Sequence, residues 1–166
     1  TEQVLTSLLD LLPKLHSRFE ITLVGGKLGD IALPPHQREL IRETQAAHLT
    51  TEVYEKFDLV VGSGRVCMEA LLSGTPTIAF GEAQYIGLVR NAHFNMAMRS
   101  NFGDIDPHSK NGPRLQLKKF EEDLKSVVSG EMSVQEKREL SEKAYAEFAI
   151  PSIEAKMRGV YQSALF

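Results

Sequence analysis

Arg65 and Glu69 stand four residues apart, directly after Gly62-Ser63-Gly64 and an apolar run ending at Val61. On a helix that spacing puts both side chains on one face. A helix that starts at a glycine turn presents unpaired backbone N–H groups and a partial positive charge, which suits a phosphate, and glycine lets a ligand approach the backbone. Arg65 in the first turn is disfavoured by the same dipole, and a diphosphate between the helix end and the guanidinium would supply the missing partner. Glu69 would then accept from two adjacent hydroxyls, as on a ribose. The constellation fits a nucleotide, with phosphates on Gly62, Ser63, Gly64 and Arg65 and sugar hydroxyls on Glu69. The plainer alternative is a surface ion pair beside a structural turn, which contributes little.

Gly25-Gly26-Lys27 forms a second candidate anion loop, although Gly-Gly after a strand is often only a turn. No Gly-Lys-Ser/Thr follows it, and no Gly-x-Gly-x-x-Gly is present, so P-loop and NAD-type readings lose support. Ser63 sits on a strand-to-helix turn, but Gly62-Ser63-Gly64-Arg65 is not the Gly-x-Ser-x-Gly elbow of hydrolases. Cys67 falls on the inner side of the helix as a small buried thiol. Histidines 16, 36, 48, 93 and 108 lack metal-ligand spacing, and no metal is expected.

The elements that would carry these residues alternate. Residues 2 to 16 have helical apolar spacing, Ile21 to Val24 read as a strand, and Pro34-Pro35 opens a helix to about Ala47. Leu49 falls in a short strand and Glu52 to Lys56 in a turn of helix. Phe57 and Leu59 to Val61 read as a buried strand, Arg65 to Ser73 as a helix closed by Gly74, and Thr77 to Phe80 as the next strand. Residues 84 to 93 read as a short helix and Asn95 to Arg99 as a strand. Ser100 to Arg114 is a surface loop, and helices follow at about 116 to 129, 133 to 148 and 152 to 165. This pattern predicts an α/β fold: a Rossmann-like, doubly wound parallel sheet in three α/β/α layers with C-terminal helices. The glycine loops at 25 to 29, 62 to 64 and 81 then fall at the carboxyl ends of the strands, where such sheets bind ligands.

The 166 residues suit one domain, with 42% hydrophobic and 25% charged residues and a net charge of −3. No basic run suggests nucleic acid, and no apolar stretch approaches the roughly 20 residues of a transmembrane segment. One cysteine excludes an intrachain disulfide, consistent with a cytoplasmic setting.

With the motifs placed, the chain resembles the C-terminal, donor-binding half of a GT-B glycosyltransferase of the large group 1-like class. FDLVVGSGR and MEALLSGTPTIA carry the central likeness, LLPKLHSRFEITLVGG the preceding segment, and FAIPSIEAKMRGVYQSAL the closing helix. The resemblance implies that Glu69 grips the nucleotide ribose and that Ser63, Gly64 and Arg65 lie near the donor diphosphate. It also implies that Gly25, Gly26 and Lys27 border the base and phosphates, while Gly81, Glu82 and Tyr85 face the nucleotide-sugar. Val61 stands where many retaining members carry the first glutamate of a pair separated by seven residues, and the loop after Ala79 departs from the usual glycine-rich pattern, which leaves the stereochemical outcome open. By resemblance the acceptor-binding N-terminal half and the first strand precede Thr1. The full-length protein would transfer sugar from a nucleotide-diphosphate sugar in polysaccharide biosynthesis without a cofactor, and a membrane-peripheral place is open to it. The fragment alone would be inactive, and no catalytic residue is assigned. The alternatives are a sugar-nucleotide epimerase domain and a non-catalytic Rossmann-like module that binds a protein partner.

Overall fold

β-branched and aliphatic residues at Ile21–Val24 and Ile41–Thr44 form two short strands, β1 and β2, which pair in parallel from Ile21↔Ile41 to Val24↔Thr44. A single-turn helix, α1 (Pro35–Arg38), precedes β2. The computed structural model describes residues 8, 19–25, 34–44, 51–105 and 116–163. The chain divides into two compact units, Thr1–Leu49 and Thr50–Phe166, and each is described by itself. Over the described residues 34–44 the long helix expected from Pro34 to about Ala47 is replaced by α1 and β2, and residues 45–47 lie outside them. Ile41 is buried while Arg42 to Thr44 are exposed, so pairing with β1 overrides the helical tendency of the surrounding polar residues. The expected helix over 2 to 16 lies outside the described residues except at Leu8, and the expected strand at Leu49 lies wholly outside them.

The second unit begins with α2 (Thr51–Tyr54), followed by β3 (Val60–Gly62), α3 (Gly64–Leu72), β4 (Thr77–Phe80) and β5 (Tyr85–Leu88). A turn of 3-10 helix (Asn91–His93) leads into α4 (Phe94–Arg99). Then come α5 (Leu117–Val128), α6 (Val134–Phe148) and α7 (Ile150–Ser163). The sheet order is β3-β4-β5, with β3 and β4 parallel and β4 and β5 antiparallel. The protein is therefore mixed α/β, and this sheet is mixed rather than the expected all-parallel one.

The antiparallel strand arises where a helix was expected. Only Gly81 to Gln84 separate β4 from β5, with Gly81 N–H donating to the Gln84 carbonyl at 3.1 Å, and so short a link cannot carry a parallel crossover. Short apolar runs such as Tyr85 to Val89 do not by themselves distinguish strand from helix. Their pairing with β4, in which all four residues are buried, decides it. The strand expected over Asn95 to Arg99 is instead α4, in keeping with the helical preference of Met96, Ala97 and Met98.

Helix α3 turns Cys67, Ala70 and Leu71 inward and packs chiefly on α6, whose Ser141 hydroxyl donates to the Leu72 carbonyl at 2.8 Å. It ends at Gly74 in the left-handed region, where Thr75 N–H reaches the Ala70 carbonyl and Gly74 N–H the Leu71 carbonyl, both at 3.0 Å. These are the paired bonds of a glycine-closed helix end. The core also holds clustered aromatic rings. Phe94, Phe102 and Phe148 form one cluster, and Tyr85 stands edge-on to both Phe80 and Phe120. No helix among the described residues is long and apolar enough to cross a membrane.

Gly81 packs so closely on the backbone of Gly103 and Asp104 that a Cβ there would collide with main-chain atoms, whereas a Cβ at Gly74 meets open space. Gly81→Ala is expected to cost about 3 kcal/mol or more of unfolding free energy. Gly74→Ala is expected to cost about 1 to 2 kcal/mol, from its left-handed backbone alone. Urea titration of the two variants measures the difference.

Candidate functional site

Parallel pairing of β3 and β4 brings their carboxyl ends to one edge of the sheet, so the loop Gly62–Arg65 and the loop starting at Gly81 are neighbours, as expected. A third segment joins them. The turn Asn101-Phe102-Gly103-Asp104 follows α4, and its Gly103 carbonyl accepts from Ala83 and Gln84 N–H, both at 2.9 Å. From the other side of the turn, the Asn101 carbonyl accepts the Gly64 N–H at 3.2 Å. Asn101 (φ 48°) and Phe102 (φ 55°) are consecutive non-glycine residues in the left-handed region, a conformation held only where the surroundings over-determine it. Here they do: Phe102 is fully buried among Phe94 and Phe148, and its N–H donates to the Ala97 carbonyl at 2.7 Å.

The start of α3 is therefore covered. A Cβ at Gly64 (φ 48°) would come within 2.7 Å of Asp104 Oδ2, so only glycine lets that carboxylate approach the first turn. Ser63 stands at the N-cap position in extended conformation and makes no capping bond through its hydroxyl, while its carbonyl accepts from Val66 N–H at 3.1 Å. Inside the helix, Cys67 is fully buried, and burial, then the Asp104 carboxylate, push its thiol far above the usual range. It is an inert packing group, as its position predicts.

Glu69 is engaged through both of its carboxylate oxygens. Arg65 Nε donates to Glu69 Oε1 at 2.6 Å and the Tyr54 hydroxyl donates to Oε2 at 2.9 Å. The two donors differ in kind. The Arg65 side chain is 83% exposed, whereas Tyr54 is buried. Tyr54 is itself held by its own carbonyl, which accepts the Thr75 hydroxyl at 2.9 Å, and Thr75 Oγ1 lies 2.8 Å from Ser73 Oγ. Burial, then the bond to Glu69, raise the Tyr54 phenol well above its usual value, so it remains a donor throughout the ordinary pH range.

Tyr85, expected to face the nucleotide-sugar, lies within β5 and not in a short helix; its hydroxyl donates to Asp123 Oδ2 of α5 at 2.7 Å and Lys119 Nζ sits 5.4 Å from its ring centroid. Its phenol is raised by burial and then by Asp123, and the side chain joins hairpin to helix. Glu82 is exposed, and its N–H points at Asp104 Oδ1, 3.5 Å away. Gly25 ends β1 of the first unit with φ 80° and donates from its N–H to the Thr44 carbonyl at 3.1 Å. Gly26 and Lys27 lie outside the described residues.

Tyr54, Asn101 and Asp104 were not singled out by their sequence. Tyr54 stands 15 residues before Glu69 with no periodic link to it, and the Asn-Phe-Gly-Asp turn read only as part of a polar loop. Among the described residues no group of three or more His, Cys, Asp or Glu is placed to hold a metal ion. No protein-family model, curated protein or solved structure matches the chain.

The raised phenols imply a pH dependence of stability. A free tyrosine ionises near pH ~10, so above that pH the unfolded chain has released protons that the folded state still holds at Tyr54 and Tyr85. Their contribution is fully present below about pH 10 and is lost as the pH rises beyond it, by at most about 1.4 kcal/mol per pH unit for each phenol. Denaturant titrations between pH 8 and 11 are expected to show this decline, and Tyr54→Phe to make it shallower.

Proposed function

We propose that the chain is the nucleotide-sugar donor-binding domain of a GT-B glycosyltransferase, with a Rossmann-like doubly wound arrangement as its wider fold. The observation that carries this reading is the Glu69 carboxylate. It lies one turn into α3 at the carboxyl edge of two parallel strands, 19% exposed and oriented by donors on both oxygens. Carboxylates in such a place accept the paired hydroxyls of a sugar, and the carboxyl ends of strands in α/β sheets are where nucleotides bind. The quoted central motifs of residues 57–65 and 68–79 support the same reading.

The diphosphate needs a cation, and Arg65 supplies one. It donates to Glu69 through Nε, and its exposed guanidinium can hold phosphate oxygens through its terminal nitrogens. Asp104 opposes an anion directly over Gly64, so the phosphates belong on the Arg65 side of the helix start. The loop Gly81–Gln84 borders the same edge and would meet the sugar. Gly25, Gly26 and Lys27 enter this reading as the second candidate anion loop and by resemblance, and Tyr85 by resemblance alone. The acceptor and the transfer chemistry belong to the full-length protein.

Titration with UDP, GDP and ADP, followed by amide chemical shifts, tests the proposal. One diphosphate is expected to bind with a millimolar or lower Kd, to shift the amides of residues 62–65 and 81–84, and to lose about tenfold in affinity in Glu69→Ala. Absence of shifts with all three would overturn it.

A further inference from the structure

The Glu69 carboxylate is held asymmetrically, and this has a consequence for which nucleotides the proposed site accepts. Arg65 is bonded to Oε1, but its side chain is 83% exposed and long, so it cannot by itself hold a carboxylate in one orientation. The terminal torsion of a glutamate is broad and roughly two-fold. The other anchor is of a different kind. Tyr54 is 3% exposed, its hydroxyl reaches Oε2 at 2.9 Å, and its own main chain is pinned by the buried Thr75 hydroxyl.

Each carboxylate oxygen carries two acceptor positions. Among the described residues Tyr54 takes one acceptor position on Oε2 and Arg65 Nε one on Oε1, which leaves one on each oxygen for a ligand. Two acceptors at a carboxylate's spacing match two hydroxyls on adjacent carbons.

We infer that Tyr54 is a positioning residue that sets the Glu69 carboxylate for a vicinal diol, so that the site takes a ribonucleoside diphosphate and, through Tyr54, discriminates against the 2′-deoxy form. The inference rests on the donor-site reading above. Tyr54 touches Glu69 and not the ligand, so its hydroxyl matters for the second sugar hydroxyl and not for phosphate or base. Hydrogen bonds to charged groups are among the stronger ones, and a ligand lacking the 2′-hydroxyl leaves one Glu69 acceptor without its partner.

The test titrates UDP, GDP and ADP and their 2′-deoxy counterparts into the wild-type chain, Tyr54→Phe and Glu69→Ala, with thermal unfolding of each variant. The wild type is expected to bind the preferred ribonucleotide about tenfold more tightly than its 2′-deoxy form. Tyr54→Phe is expected to narrow that ratio to about threefold or less, with the affinity for the 2′-deoxy form essentially unchanged. If Glu69→Ala abolishes the preference and Tyr54→Phe keeps it, the role given to Tyr54 is overturned while the donor site stands. If Tyr54→Phe weakens both nucleotides equally and lowers the melting temperature, Tyr54 is structural and the inference fails. If no nucleotide binds the wild type, or binding ignores Glu69→Ala, the donor-site reading falls and takes the inference with it.

Discussion

Gly81 and Gly103 meet backbone to backbone, and the carboxyl edge of the sheet is organised by that contact. The absence of side chains at both positions lets the Gly103 carbonyl reach the N–H groups of Ala83 and Gln84, closing the link between β4 and β5. It also brings Asp104 and Asn101 over the start of α3. Buried main-chain groups must find partners, and here three segments distant in sequence supply them to one another. A Cβ on either glycine would separate the strand loop from the turn after α4.

That contact constrains the chemistry available next to it. The helix start is not a bare array of N–H groups, because the Asn101 carbonyl takes the Gly64 N–H and the Asp104 carboxylate lies against Gly64. The field of the helix is thus partly answered from within the protein, and the exposed cation of Arg65 becomes the feature best suited to an external anion. The neighbouring carboxylate of Glu69 is answered differently, by a buried phenol reaching it from α2. The edge therefore combines an exposed charge with a rigidly held one, and strain at Asn101 and Phe102 is sustained by the aromatic packing beneath them.

How much of this was legible depends on whether the deciding interactions were local. The segment from β3 through α3 to β4 reads directly from residues 57–80, because an apolar run, a glycine turn, a glycine-closed helix and a second apolar run each carry their own signal. The three C-terminal helices read equally well from their spacing and polar breaks. Residues 35–44 and 84–99 did not. Ile41–Thr44 became a strand by pairing with β1, and Tyr85–Leu88 by pairing with β4, so neither outcome is encoded in the segment alone. The exchange of helix and strand over 84–99 also put Tyr85 in a strand and not in the short helix expected of residues 84 to 93, and buried it against Asp123 and Phe120.

For the site, the residue types and their spacing determined that Arg65 and Glu69 share a helix face beside a glycine turn, since a four-residue interval on a helix has one geometric consequence. The sequence by itself also determined the small buried thiol at Cys67 and the absence of Walker-type and dinucleotide fingerprints. Tertiary structure alone decided that Tyr54 holds the second oxygen of Glu69, that Asp104 guards the first turn of α3, and that β5 runs antiparallel to β4. These depend on contacts across 15, 40 and five to ten residues respectively. The first two join separate elements, and in the third a four-residue link excludes a crossover, so no single segment's periodicity could announce any of them.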